Sequence, residues 1–279
     1  MQKANIVLFT FVKNESLEII LLSIFKYNPE KLYIVMDVPR NMEEENCQNK
    51  VDAILNIYTS KLNIVFIKPN SHLGLSSIFD FGLEFVFKEE EKVIILEDDT
   101  IPHSLFFSFC NEKLLQFNDN MSITSVLGTN LRSKMDINGF FKSYFGFPYW
   151  GWATWRAKWK LVPKTDDFFV NKISELGSLN QIVNTFVGTK GLNISWDVRW
   201  SIFQYLNNYQ VVVPTINLVS NSGFSPLASF TKNELSAYKN LPVPSVNEVE
   251  WVELDAINSV EFCKEYIGNI YSFLNEYKT

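Results

Sequence analysis

The stretch Val93-Ile94-Ile95-Leu96-Glu97-Asp98-Asp99 joins four consecutive aliphatic residues to three consecutive carboxylates. An uninterrupted apolar run reads as a strand buried on both faces, as the strands of a parallel sheet are. The strand is predicted over Lys92 to Glu97, so the acids fall at its carboxyl end. In open α/β sheets, ligands bind just outside the carboxyl ends of the strands. Three adjacent carboxylates repel one another there unless a cation or hydrogen-bond donors compensate. A divalent cation is the natural compensator, because Mg²⁺ or Mn²⁺ is commonly held by one or two carboxylates while water and substrate phosphates fill its other positions. Asp99 or Thr100 could also cap a following helix, a role compatible with metal binding.

Outward from this strand, similar runs predict further strands at Asn5 to Phe11, Lys31 to Asp37, Leu62 to Lys68 and Ile123 to Gly128. Amphipathic segments lie between them, at Ser16 to Tyr27, Met42 to Thr59, Leu75 to Phe87 and Ser104 to Phe117. The order βαβαβαβαβ is that of a mainly parallel sheet with helices on its faces. Pro102 stands where the first turn of the fourth helix should begin, a position that tolerates its missing N–H. Past Gly128 the chain becomes aromatic and loop-rich. It resumes regular patterning with a helix from Trp196 to Asn207, a strand from Gln210 to Val213 and a final helix near Asn258 to Tyr277. No repeat and no long linker divides it, so residues 1–279 read as one continuous domain.

Composition narrows the function classes. With 25 Lys and Arg against 31 Asp and Glu the formal charge is −6, and no basic block is present to neutralise a phosphate backbone, so nucleic acid is excluded as a partner. At 279 residues and 47% hydrophobic content, folding needs no disulfide staple. The three cysteines, Cys47, Cys110 and Cys263, are scattered without zinc-ligand spacing and fit a reducing compartment. No apolar run approaches the roughly 20 residues of a membrane-spanning helix. The short run Ile6 to Phe9 after Lys3 is read as a buried first strand rather than a secretory signal.

Several further residues carry candidate chemistry. Asp37 ends the second strand, where a carboxylate either accepts from a ribose or base or simply forms a turn. There is no G-x-G-x-x-G or Walker loop. Any guanidinium on a phosphate must therefore come from Arg40, Arg132, Arg156 or Arg199, with Arg156 and Arg199 nearest the other candidates. Trp150, Trp152, Trp155 and Trp159 crowd one Gly- and Pro-containing segment, suited either to core packing or to a platform for a sugar ring. In Ser195-Trp196-Asp197-Val198-Arg199 the acid opens a helix, either as a first-turn carboxylate or as a general base kept basic by an apolar pocket. The two histidines compete little for that role: His103 reads as a capping or solvated residue.

Together these residues resemble the bacterial sugar-nucleotide glycosyltransferases of the GT-A fold. The segment from Phe79 to Phe109, with Glu97-Asp98-Asp99, is also similar to the N-acetylglucosaminyltransferase I family and its Glu-Asp-Asp metal motif. Trp150-Gly151-Trp152-Ala153-Thr154-Trp155 matches the bacterial group's W-G-W-A-T-W signature, and Pro214 to Phe224 matches its P-x-x-N-L-V-x-N-x-G-F pattern. After Phe224 the chain departs from the group, with Phe230 in a run where relatives carry a histidine.

The resemblance implies a Rossmann-like mixed sheet in which residues 1–128 bind the nucleotide and the aromatic-rich 129–279 face the acceptor. It implies an inverting hexosyl or N-acetylhexosaminyl transfer from a nucleotide-diphosphate sugar, a UDP-sugar favoured, to a free, lipid-linked or protein-linked glycan in polysaccharide biosynthesis. By position, Asp99 would hold Mn²⁺ or Mg²⁺, and Glu97 and Asp98 would contact sugar and ribose. Asp37 would face the base, Lys13 and Arg156 would lie on the nucleotide, and Asp197 would be the base. Trp150, Trp152, Trp155 and Trp196 would line the acceptor side. A cytoplasmic enzyme is expected, peripheral at the inner membrane face where its acceptor is lipid-linked. A sugar-1-phosphate nucleotidyltransferase and a non-catalytic carbohydrate binder are the alternatives, the first weakened by the lack of a glycine-rich basic loop at Thr10 to Asn14.

Overall fold

The computed structural model describes residues 3–131, 139–164, 172, 195–224, 233, 236–245 and 248–275. Its first half follows the predicted alternation: β1 (Asn5–Thr10), α1 (Leu17–Tyr27), β2 (Leu32–Met36), α2 (Met42–Tyr58), β3 (Ile64–Ile67), α3 (Leu75–Val86) and β4 (Lys92–Glu97). β5 (Thr100–Pro102), α4 (Ser104–Gln116) and β6 (Ile123–Leu127) follow. The second half contributes β7 (Gly139–Ser143), β8 (Trp152–Trp155), α5 (Arg156–Trp159), α6 (Trp196–Leu206), β9 (Gln210–Pro214), β10 (Val219–Asn221), β11 (Val252–Glu253) and α7 (Ala256–Asn275).

Among the described residues, nine strands form one mixed sheet in the order β11-β7-β9-β6-β8-β4-β1-β2-β3. The run β4-β1-β2-β3 is parallel throughout, and β8 lies antiparallel between β4 and β6. β1, β2 and β6 are buried along their whole length, which is why their sequences are apolar rather than alternating. The chain winds outward from β1 through β2 to β3 and then returns to place β4 on the other side of β1. This reversal is a topological switch point, where loops leaving neighbouring strands diverge and open a crevice. Both β1 and β4 deliver their carboxyl ends there.

Two readings of the sequence are corrected. Pro102 is not in the first helical turn: it ends β5, which pairs antiparallel with β10 in a separate two-stranded ribbon. His103 is the N-cap of α4, its Nδ1 accepting from the N–H of Leu105 at 3.3 Å. The tryptophan segment is not a loop throughout, because Trp152–Trp155 is the central strand β8, paired Ile94 to Ala153 on one side and Val126 to Ala153 on the other. Gly151, with φ of 69°, turns the chain into that strand, and an added Cβ would lie 2.9 Å from Val219 Cγ2.

Aromatic rings tie the layers together. Phe9 of β1 stacks on Phe79 of α3 at 3.8 Å, Phe79 on Trp196 of α6 at 4.1 Å, and Trp196 on Trp152 of β8 at 5.3 Å. Beneath this ladder Gln204 is fully buried, donating to Thr124 Oγ1 at 2.6 Å and Ser125 Oγ at 2.8 Å and accepting from the Tyr149 hydroxyl at 2.5 Å. Replacing it by the similarly shaped, apolar methionine strands those hydroxyls in a dry interior. Gln204→Met is expected to cost about 2–3 kcal/mol in denaturant unfolding.

Candidate active site

The carboxyl end of β4 turns sharply into β5, so Glu97, Asp98 and Asp99 point different ways. Asp98 turns inward. Its Oδ2 accepts from the Phe11 N–H at 2.9 Å and from Thr10 Oγ1 at 3.2 Å, which fastens the end of β1 to the end of β4. Asp99 turns toward the crevice, where its Oδ2 accepts from Lys13 Nζ at 2.6 Å. Its backbone carbonyl accepts from the N–H and hydroxyl of Ser222, at 2.9 and 3.1 Å. The Ser222 hydroxyl is also bonded to Ser16 at 2.7 Å, at the start of α1. The segment after β10 thus closes over Asp99 so tightly that a Cβ on Gly223 would lie 2.0 Å from Asp99 Oδ2.

Asp197 enters from the other half of the chain, in the first turn of α6, placed by its neighbour Trp196 in the aromatic ladder. Its Oδ1 accepts from the Ser195 hydroxyl and from the Val198 N–H at 2.9 Å. Burial raises its pKa despite those donors. Glu97 is pushed well above the usual carboxylate range, first by burial and then by the charges of Asp99, Asp197 and Asp98. Asp98 is pushed up to about 7, by burial and by Asp99. Lys13 is opposed by burial, but Asp99, Asp98 and Glu97 together overcome this and raise its pKa. Among the described residues, four carboxylates and one ammonium therefore meet at the switch point.

Among the described residues no group of three or more His, Cys, Asp or Glu side chains converges as a metal cage. The residues do fit a small, oxygen-seeking cation held mostly by its substrate. Asp99 offers a partly exposed carboxylate whose Oδ1, among the described residues, has only long contacts, to Asn221 Nδ2 at 3.4 Å and Thr100 Oγ1 at 3.5 Å. Such ions take one or two carboxylates and complete their octahedron with water and phosphate.

Other predicted residues sit elsewhere. Asp37 is buried, and its oxygens accept from the N–H groups of Val38, Leu73 and Gly74 at 2.8, 3.0 and 2.8 Å, with His72 Nδ1 at 3.1 Å. It fastens the loop before α3 to the end of β2 and has little acceptor capacity left for a ligand. Arg156 follows β8 at the amino end of β4, where its N–H donates to the Glu91 carbonyl and its guanidinium pairs with the Glu91 carboxylate. That is the opposite edge of the sheet from Glu97 to Asp99. Trp155 lies there too, its indole donating to the Leu114 carbonyl at 3.1 Å. Trp150, Trp152 and Trp196 are nearer the crevice, but all four tryptophans are buried. Phe230 lies outside the described residues.

Sequence reasoning missed Ser16, Ser222, Asn221 and the Phe11 N–H. Asn221 and Gly223 stand in the P-x-x-N-L-V-x-N-x-G-F pattern, which does not name Asp99 as their partner, and a backbone N–H carries no signal in a sequence at all.

Neither a protein-family model nor a curated protein matches the chain. Among solved structures it is similar to a UDP-glucose pyrophosphorylase complexed with UDP-glucose, at 10% identity and a TM-score of 0.42 over 76% of this chain and 90% of that one. It is also similar to the mannosyltransferase PcManGT from Pyrobaculum calidifontis in complex with GDP-Man and Mn²⁺, at 11% and 0.43 over 77% of this chain and 55% of that one. The 4-diphosphocytidyl-2C-methyl-D-erythritol synthase from Anaerococcus prevotii matches at 11% and 0.39 over 76% and 88%. Likeness at this level concerns the layout of strands and helices, and no activity is taken from it.

Proposed function

We propose that the chain is an inverting, metal-dependent glycosyltransferase that moves a sugar from a nucleotide diphosphate to a hydroxyl of a glycan or glycoconjugate. The observation that carries this reading is the meeting of Glu97, Asp98, Asp99 and Lys13 with Asp197 at the switch point of the sheet. A carboxylate cluster with an ammonium beside it suits a diphosphate and its cation. A separate, desolvated carboxylate suits proton abstraction from a hydroxyl. No covalent intermediate is needed.

In this reading residues 1–128 bind the nucleotide and residues 129–279 form the acceptor side. Asp99 would hold the divalent cation, which when bound supplies a Lewis-acid charge to the leaving diphosphate. Lys13 donates to a diphosphate oxygen, while Glu97 lies toward the sugar and Asp98 acts on the ribose side through the end of β1 that it fastens at Thr10 and Phe11. Asp37 acts on the base side through the loop it organises, at Leu73 and Gly74. The acceptor oxygen attacks the anomeric carbon and its proton passes to Asp197. The bond from that carbon to the diphosphate oxygen breaks, and the oxygen keeps the electron pair. One displacement inverts the anomeric centre.

The test is calorimetric titration with UDP, GDP and dTDP, with and without Mn²⁺, repeated on Asp99→Ala. Metal-enhanced binding of one of them, reduced at least tenfold in the variant, is expected. Equal binding in both proteins refutes the reading. Release of pyrophosphate rather than a nucleoside diphosphate in turnover would instead assign a nucleotidyltransferase.

A further inference from the structure

Lys13 follows β1 by three residues and reaches across the crevice to Asp99, with Nζ 2.6 Å from Oδ2. The pair is only partly exposed, so the contact is a charge-assisted hydrogen bond with limited solvent screening. Asp99 cannot move away on the side of Gly223, whose Cα is packed against it. The described arginines are committed elsewhere, Arg40 to Glu44, Arg156 to Glu91 and Arg199 to Asp80. Among the described residues, Lys13 is thus the cation paired with the acidic cluster, and Asp99 Oδ2 is the oxygen it occupies.

We propose that Lys13 and a divalent cation are alternative partners of the Asp99 carboxylate, and that an arriving diphosphate draws Lys13 off it. This rests on the reading of the crevice as a nucleotide-diphosphate site. A divalent cation approaching the protein alone meets a carboxylate already neutralised by an ammonium and must displace it into water. A diphosphate approaching alone meets an ammonium already committed to the Asp99 carboxylate, with Glu97 and Asp98 beside it. When both arrive, the ammonium exchanges a carboxylate oxygen for a phosphate oxygen and the carboxylate is freed for the cation. Metal and nucleotide therefore bind together and each binds poorly alone. The coupling is reciprocal, so each ligand tightens the other by the same factor, about 10- to 100-fold.

The experiment compares the wild-type chain with Lys13→Met and Lys13→Gln. Binding of Mn²⁺ alone is followed by the electron paramagnetic resonance signal of the free ion. Binding of UDP, GDP and dTDP is followed calorimetrically at fixed free Mn²⁺. Both variants are expected to bind Mn²⁺ alone about tenfold more tightly than wild type and to bind the nucleotide about tenfold more weakly. The enhancement of each ligand by the other should fall about tenfold, leaving the part that a cation's own contact with phosphate supplies. Unchanged or weaker Mn²⁺ binding in both variants, with the mutual enhancement intact, overturns the inference and leaves the donor-site reading standing. Tighter Mn²⁺ binding in the variants with no nucleotide bound by any protein upholds the competition for Asp99 and overturns the donor-site reading. Failure of all three proteins to bind Mn²⁺, with or without a nucleotide, overturns both.

Discussion

Asp197→Asn is expected to lower turnover on the order of a thousandfold while leaving nucleotide-diphosphate binding within about twofold of wild type, since general-base catalysis typically contributes 10²- to 10⁴-fold. The variant keeps the shape of the side chain and an acceptor for the Ser195 hydroxyl and the Val198 N–H. It loses the capacity to take a proton, together with the charge that bears on Glu97. Truncation to alanine would confound that loss with disturbance of the first turn of α6 and of Trp196, which is stacked between Phe79 and Trp152. Rate measurements with the donor identified by calorimetry separate the cases: a fall in kcat at unchanged donor affinity assigns Asp197 to the chemical step, and a parallel loss of donor affinity assigns it to the site's architecture. Retention of full turnover would remove Asp197 from the mechanism.

The same carboxylate fixes the direction of the pH profile. A base must be ionised to act, and burial holds the Asp197 pKa above the ordinary value. Activity should therefore fall as pH drops through that raised pKa, at a higher pH than an exposed aspartate would give. Ser195→Ala removes a donor that favours the ionised form, so its acid limb should move to still higher pH with the alkaline plateau little changed.

How far the sequence disclosed this arrangement depended on how local each signal was. β4 and its three acids were legible because burial on both faces forces a continuous apolar run, and the break from Leu96 to Glu97 marks where it ends. Helix α6 and Asp197 were legible for a similar reason, since Ser195 and an early acid mark a helix start. β8 was hidden because four residues, Trp152 to Trp155, are too few to show a period. Its strand character comes from β4 and β6, which flank it. The pairing of β5 with β10 joins residues more than a hundred positions apart, and nothing in Thr100 to Pro102 names Val219 to Asn221. Asp37 and Arg156 show the opposite failure. Each has a chemically suggestive side chain, but their partners, the loop N–H groups beyond β3 for one and Glu91 for the other, are fixed by tertiary placement alone.

The largest expected effect on stability runs against the usual direction of mutation. Most substitutions destabilise, yet Asp98→Asn should stabilise the metal-free protein at pH 8. Asp98 is buried, next to Asp99, with its pKa pushed up to about 7, whereas an unfolded aspartate titrates near 3.9. A carboxyl with a raised folded-state pKa contributes stability that is fully present below the unfolded pKa and is lost as pH rises through the folded pKa. In EDTA this one carboxyl should accordingly cost the wild-type protein on the order of 2–4 kcal/mol between pH 4 and pH 8, at about 1.4 kcal/mol for each pH unit between the two values. Asparagine at this position still offers an acceptor to the Phe11 N–H and the Thr10 hydroxyl and carries no charge at any pH. Its advantage should vanish near pH 4 and grow to roughly 5–10 °C in Tm at pH 8, at about 2–4 °C per kcal/mol for a chain of this size. Saturating Mn²⁺ should raise the Tm of wild type at pH 8 by more than that of the variant, because the ion's charge relieves a repulsion that Asp98→Asn has already removed in part. A flat difference in Tm across this pH range would show that Asp98 does not titrate as its burial requires.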